Sequence, residues 1–138
     1  MFAARSLLVE NVIRPALAAG KWVVSDRFVD ASRAYQGGGR GLPMDRIETL
    51  ASWVLEGLEP DATLLLDAPV ETGMARTDSR GDRDRLDNEQ AAFYARVRDS
   101  YLALAADNPT RFHVIDASGT LEEVGANIDD IATKLLSN

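Results

Sequence analysis

Asp26 and Arg27 stand side by side immediately after Trp22-Val-Val-Ser25. The uninterrupted apolar run predicts a strand buried on both faces, of the kind found in parallel sheets. In open α/β sheets, ligands bind beyond the carboxyl ends of the strands. An adjacent acid and base placed there could hold a metal and a phosphate, although a surface ion pair at a strand end has the same sequence. Ser32, Tyr35 and Gln36 follow on a predicted short helix, where three- and four-residue offsets share a face. An aromatic ring and an amide near a phosphate-gripping arginine suit a nucleotide: the ring packs and the amide reads a base edge. A capped polar turn would show the same spacing. A second group comprises Arg76, Arg80, Arg83 and Arg85, interleaved with Asp78, Asp82, Asp84 and Asp87. In an arbitrary protein such a segment is a solvated loop of weak ion pairs. Read functionally, it is a mobile lid whose arginines close over a polyphosphate, where one positioned guanidinium accelerates phosphoryl transfer by about 10³–10⁵.

Other motifs say less. Gly37-Gly-Gly-Arg-Gly41 predicts a loop, and its flexibility suits a connection better than a phosphate cradle. No GxxxxGK[ST] occurs in the 138 residues, so the loop is not a Walker A motif. His113 lies in an apolar run and reads as a packed residue. There is no cysteine, which rules out disulfides, zinc-thiolate sites and a catalytic thiol. The net charge of −7 argues against a nucleic-acid surface but not against a small basic pocket. Thirteen of the fifteen basic residues are arginine, the side chain suited to bidentate contact with phosphate. No membrane-spanning run or secretory signal is visible, as expected for a cytoplasmic protein.

The elements that must position these residues alternate between strand and helix. Ala4, Leu7, Leu8, Val12 and Ala16 predict a helix over residues 3–19, stopped at Gly20. A helix carrying Ile47, Leu50, Val54 and Leu58 opens at Pro43. Thr63–Asp67 is a second predicted strand, and residues 70–77 a helix. Another helix begins near Asn88 and ends at Asn108-Pro109. Phe112–Asp116 is the third strand, and Leu121, Val124, Ile128, Ile131 and Leu135 mark a final amphipathic helix. Each strand ends in aspartate: Asp26, Asp67 and Asp116. The expected architecture is one α/β domain over residues 1–138 with a parallel sheet.

Taken together, these residues resemble the bacterial thymidylate kinase (dTMP kinase) family along nearly the whole chain. The resemblance is carried by Phe2-Ala-Ala-Arg5, Val12-Ile-Arg-Pro-Ala-Leu17, Val24-Ser-Asp-Arg-Phe28 and Ala34-Tyr-Gln-Gly-Gly-Gly-Arg-Gly41. It continues through Pro60-Asp-Ala-Thr-Leu-Leu-Leu-Asp67, Arg80-Gly-Asp-Arg-Asp-Arg85 and Ile115-Asp-Ala117. It implies a three-layer P-loop NTPase-like fold, a parallel sheet with helices on both faces. It also implies transfer of the ATP γ-phosphoryl group to dTMP, with Mg²⁺. Asp26 would be catalytic, near the transferring phosphate and, indirectly, the metal; Arg27 would hold the dTMP phosphate and help neutralise the transition state. Arg5 would contact dTMP from the first helix. Ser32 and Gln36 would approach the thymine edge, and Tyr35 the deoxyribose. Arg76, Arg80 and Arg85 would act from a lid at about residues 76–87, and the segment after Asp116 would lie beside adenine. A homodimer is implied as well.

The chain departs from the family pattern in two places. Where the family often has a thymine-stacking phenylalanine, this chain has Met1 followed by Phe2, and either could cover the base. The family's opening strand, P-loop, helix and second strand have no counterpart here. In this fold the first strand lies between those matching residues 22–25 and 63–66, so inner edges are expected to lack pairing. The 138-residue chain is therefore expected to show no substantial kinase activity by itself. The other readings are a related deoxynucleoside or nucleotide kinase and a non-catalytic dTMP-binding remnant.

Overall fold

Alanine and leucine dominate the first eighteen residues and favour helix. The computed structural model describes residues 2–77 and 85–137, except the side chains of residues 77 and 85–88. In it α1 (Phe2–Leu8) passes through a π-helical segment (Val9–Ile13) into α2 (Arg14–Ala18). Pro15 lies in the first turn of α2. A proline cannot donate to the turn before it, and the widened π turn falls immediately ahead. The helix stops at Gly20, with φ +70°. The Lys21 N–H donates to Ala16 O (3.0 Å) and the Gly20 N–H to Leu17 O (2.9 Å), the paired bonds of a glycine-terminated helix.

The expected strand over Trp22–Ser25 is not formed: residues 21–25 belong to no strand. Trp22 is 67% exposed and Val24 95% exposed. An apolar run becomes a buried strand only where flanking strands and covering layers exist, and no described strand pairs with this one. Only Val23 of the run packs on a core.

α3 (Val29–Ser32) leads directly into a second π-helical segment, Arg33–Gly39. Gly37–Gly41 is therefore not the expected loop, because its first three residues are helical. Glycine permits the packing: a Cβ on Gly37 would lie 2.6 Å from Met44 Cε and 3.3 Å from Ile47 Cδ1. Those atoms belong to α4 (Met44–Leu55), which buries Ile47, Ala51 and Leu55 at four-residue spacing. Val9, Ile13, Val29, Ala51 and Leu55 form the core of this part, with Phe2, Val23, Phe28, Val54 and Leu58 packed around them.

Residues 1–59 form one compact unit and residues 60–138 a second. In the second, β1 (Thr63–Asp67) pairs in parallel with β2 (Phe112–Asp116), Thr63 opposite Phe112 and Asp67 opposite Asp116. A parallel pair needs a crossover, which includes α5 (Val70–Thr77) and α6 (Arg85–Asp107). α6 thus begins three residues ahead of the expected start at Asn88. α7 (Leu121–Leu136) opens on a capping box: the Glu123 N–H donates to Thr120 Oγ1 (3.2 Å) and the Thr120 N–H to Glu123 Oε2 (2.8 Å). It packs Val124, Ile128 and Ile131 against Ile115 and Ala117. The fold class is α/β with a two-stranded parallel sheet among the described residues; the first expected strand, Trp22–Ser25, is absent from it.

Leu55 is fully buried in the first unit, whereas Leu66 on β1 is 52% exposed. Leu55→Ala is expected to lower unfolding free energy by about 2–5 kcal/mol, and Leu66→Ala by less than about 1 kcal/mol. Urea unfolding followed by circular dichroism checks the contrast.

Candidate functional site

The i, i+3 spacing of Phe2 and Arg5 places both on one face of α1. The Arg5 guanidinium lies 5.3 Å from the Phe2 ring centroid and 5.5 Å from that of Phe28. Its Nη1 donates to Ser32 Oγ (2.9 Å) and its Nη2 to Phe28 O (3.0 Å). Both acceptors are neutral, and no carboxylate pairs with Arg5 among the described residues. Burial pulls its pKa below the usual arginine value. A half-buried cation with neutral neighbours is poised for an anion, whose arrival would relieve the desolvation cost. Three expected site residues, Phe2, Arg5 and Ser32, are thus brought together. Met1 lies outside the described residues. Phe28 completes the group. The sequence reading placed Phe28 in the Asp-Arg-Phe motif but assigned it no role.

Arg27 follows by a different route. Its backbone is left-handed, with φ +61°, uncommon for a residue with a side chain. Ser25 Oγ donates to its carbonyl oxygen at 3.0 Å. The guanidinium lies over the Tyr35 ring, its Cζ 4.9 Å from the centroid. Asp26 is exposed. Gln36, next along the π-helical segment, is half-buried, and its Oε1 is buried without a hydrogen-bond partner. Such an acceptor costs about 1–3 kcal/mol when unmet; a ligand N–H would satisfy it. π-helical turns are often found at functional sites, and this one carries both Tyr35 and Gln36.

What holds that segment is Arg33, which the sequence reading did not single out. Arg33 Nη1 donates to Asp30 Oδ1 (2.9 Å), Nε to Glu48 Oε1 (2.7 Å) and Nη2 to Glu48 Oε2 (2.9 Å) and Glu59 Oε1 (3.1 Å). The bond to Glu48, with those to Glu59 and Asp30, raises the Arg33 pKa above its usual value despite burial. The Glu48 carboxyl is correspondingly held below the usual range. The i, i+3 spacing to Asp30 was the one local signal; the partners on α4 and at residue 59 are distant in sequence.

In the second unit Arg76 lies near the end of α5. It donates to Ala117 O (2.7 Å), Ser118 O (3.0 Å) and Gly119 O (2.9 Å), clamping the turn after β2. Asp67 accepts a bidentate pair from Arg98 Nε (2.6 Å) and Nη2 (2.8 Å). Asp116 accepts from Ser118 Oγ (2.5 Å) and the Ser118 N–H (2.8 Å), which hold its carboxyl below the usual range. Arg80 and most of the expected lid at 76–87 lie outside the described residues, as does the Arg85 side chain. Among the described residues no cluster of three histidine, aspartate or glutamate side chains converges as a metal cage.

The thymidylate kinase family model matches residues 1–128. The chain belongs to the thymidylate kinase family. It is 56% identical to "Thymidylate kinase" of Chromohalobacter salexigens, an alignment covering all of this chain and 66% of that protein. It is 50% identical to "Thymidylate kinase" of Cupriavidus metallidurans, over 98% of this chain and 68% of that one. With "Thymidylate kinase" of Neisseria gonorrhoeae it shares 53% identity, over 95% and 64%. The chain thus spans about two thirds of the length of these curated relatives.

In this member of the thymidylate kinase family, Arg33→Met would remove the cation beside Asp30, which is 4% exposed, and leave three carboxylates gathered without it. The expected loss is about 3–5 kcal/mol near neutral pH. The Glu48 pKa is depressed in the folded state, so its contribution is present above about pH 4.5, its ordinary value, and is lost as pH falls toward the folded-state value. Urea unfolding between pH 3 and 7 should therefore show a shallower acid-side decline for Arg33→Met than for wild type.

Proposed function

We propose that residues 1–59 carry the dTMP site of a thymidylate kinase, the whole enzyme moving the ATP γ-phosphoryl group onto the dTMP phosphate. A dTMP phosphate oxygen attacks the γ-phosphorus, the bond to the β–γ bridging oxygen breaks, and ADP and dTDP result. The observation that carries this reading is the buried, unmet Gln36 Oε1. The thymine ring offers an imide N–H, the donor that this acceptor lacks. Arg5, without a carboxylate partner among the described residues, and Arg27, presented on Tyr35, suit the phosphate, with Ser32 toward the thymine edge and Phe2 and Phe28 supplying apolar surface. Family membership supports the same chemistry, and supports a P-loop NTPase arrangement of three layers for the complete domain.

Among these residues Asp26 is the one that would face Mg²⁺, through water, since magnesium keeps most of its waters and takes phosphates as ligands. A lone exposed carboxylate fits that indirect role. When bound, the ion would offset charge on the phosphates. Arg80 and Arg85 are the arginines proposed for the transferring phosphate. Arg76, proposed with them, already uses its donors on Ala117, Ser118 and Gly119, so its part in the reaction is to hold that turn. No helix among the described residues is long and apolar enough to cross a membrane, and a cytoplasmic setting belongs to this reading. No GxxxxGK[ST] occurs in the chain, so the residues that would cradle ATP phosphates are not among these 138.

Titration of the 138-residue chain with dTMP, and an ADP-release assay with ATP and dTMP, test the reading. Saturable dTMP binding without turnover is expected. Gln36→Leu removes the unmet acceptor, so dTMP affinity should fall about tenfold while folding stability holds or rises. Loss of stability with unchanged dTMP affinity would refute the role given to Gln36. Turnover with thymidine in place of dTMP would favour a related deoxynucleoside kinase.

Homodimer formation through the first helix belongs to the same proposal. Leu7, Leu8, Val12 and Leu17 expose apolar surface there, Val12 by 54%. Val12→Glu is expected to convert a dimer to monomer in multi-angle light scattering, with circular dichroism unchanged.

A further inference from the structure

We infer that Tyr35 acts as the positioning residue for Arg27, so that part of the selection for a phosphorylated ligand is made by an aromatic ring that need not touch the phosphate. The inference rests on the dTMP reading and deepens it. Arg27 is exposed on a left-handed backbone. No carboxylate pairs with it among the described residues. A long side chain in that position would sample many rotamers, and ordering it on phosphate arrival would carry an entropic cost. Stacking at 4.9 Å on Tyr35 removes much of that freedom beforehand.

Stacking also differs chemically from a hydrogen bond as a tether. A cation over a ring is held by attraction to the ring quadrupole, which engages none of its N–H donors in a conventional hydrogen bond. The fork remains available for two phosphate oxygens. Arg5 shows the contrast, since two of its nitrogens are already committed to Ser32 Oγ and Phe28 O. Tyr35 is itself half-buried in the π-helical segment, which Arg33 ties to Glu48 and Glu59. A rigid ring thereby orders a mobile cation without occupying its donors.

The experiment compares dTMP with thymidine, which lacks only the phosphate. Both are titrated into the wild-type chain, Tyr35→Leu and Tyr35→Phe, with the Arg27 Nε–H proton followed by NMR. In Tyr35→Leu the dTMP-to-thymidine affinity ratio should fall about three- to tenfold. Tyr35→Phe keeps the ring and should restore most of that ratio. The wild-type Arg27 Nε–H should resonate upfield from ring current and lose that shift in Tyr35→Leu. An equal fall for both ligands would overturn the inference, because it would mean the ring serves sugar or base and not Arg27. Absence of the upfield shift in wild type would overturn it too, even if Tyr35→Leu did not fold. A wild-type chain that shows the shift but binds neither ligand would instead overturn the dTMP reading and leave the stacked pair standing.

Discussion

Arg33 and its three carboxylates are the contact on which the first unit depends. The guanidinium is nearly buried, and one of its partners, Asp30, is more so. Removing such charges from water is expensive, and attraction offsets the cost only when the geometry is good and the donors are used. Here the fork reaches α3, α4 and Glu59 together, which lysine could not do with a single ammonium. Glu48 and Glu59 keep part of their surface in water, so the excess negative charge is solvated on the outer side. The interaction fixes the π-helical segment to α4 from one flank, and the absent side chain of Gly37 lets the two approach from another. Tyr35 and Gln36 are carried on that segment, so their placement follows from a contact that involves neither.

The arginines of the chain then divide by what surrounds them. Arg33 is held by three carboxylates, Arg98 by one and Arg76 by three carbonyls, and Arg14 bonds Glu10 Oε1 (3.1 Å) and Leu55 O (2.8 Å). These are tethers between elements. Arg5 and Arg27 meet only neutral acceptors or aromatic faces among the described residues. A cation left in that condition favours an incoming anion for electrostatic reasons. The same residue type does both jobs, and only its partners tell them apart.

That explains which parts of the molecule could be read from the sequence. β1, β2, α5 and α7 follow from local apolar period and capping residues, and all four appear where the pattern puts them. Arg5, Ser32 and Phe2 lie together in the structure, a meeting that the motifs did not specify. The π-helical segments were not legible, because a five-residue hydrogen-bond register leaves no distinct apolar period and depends on what Gly37 packs against. The Arg33 partners on α4 and at residue 59 were hidden by their distance along the chain. Trp22–Val24 went wrong in an informative way: the run is as apolar as a central strand requires, yet Trp22 and Val24 are exposed. Burial is a property of neighbours, and about a third of the length of the relatives has no counterpart here.

The three aspartates that end the apolar runs show the same dependence on partners in a way that bears on chemistry. Asp67 and Asp116 stand opposite each other in register, where two bare carboxylates would repel. Arg98 neutralises the first by two bonds, and Ser118 satisfies the second through its hydroxyl and its N–H. Neither carboxylate is then free to serve a ligand without first breaking those contacts. Asp26 makes no hydrogen bond or ion pair with the described residues and lies in water at the end of an unpaired segment. Three positions that look equivalent in composition thus separate into two structural acids and one available acid. The available one precedes the arginine whose fork is also open. An acid and a base without ion-pair partners among the described residues thus stand on adjacent positions, where structural pairing of either would have tied them to the fold.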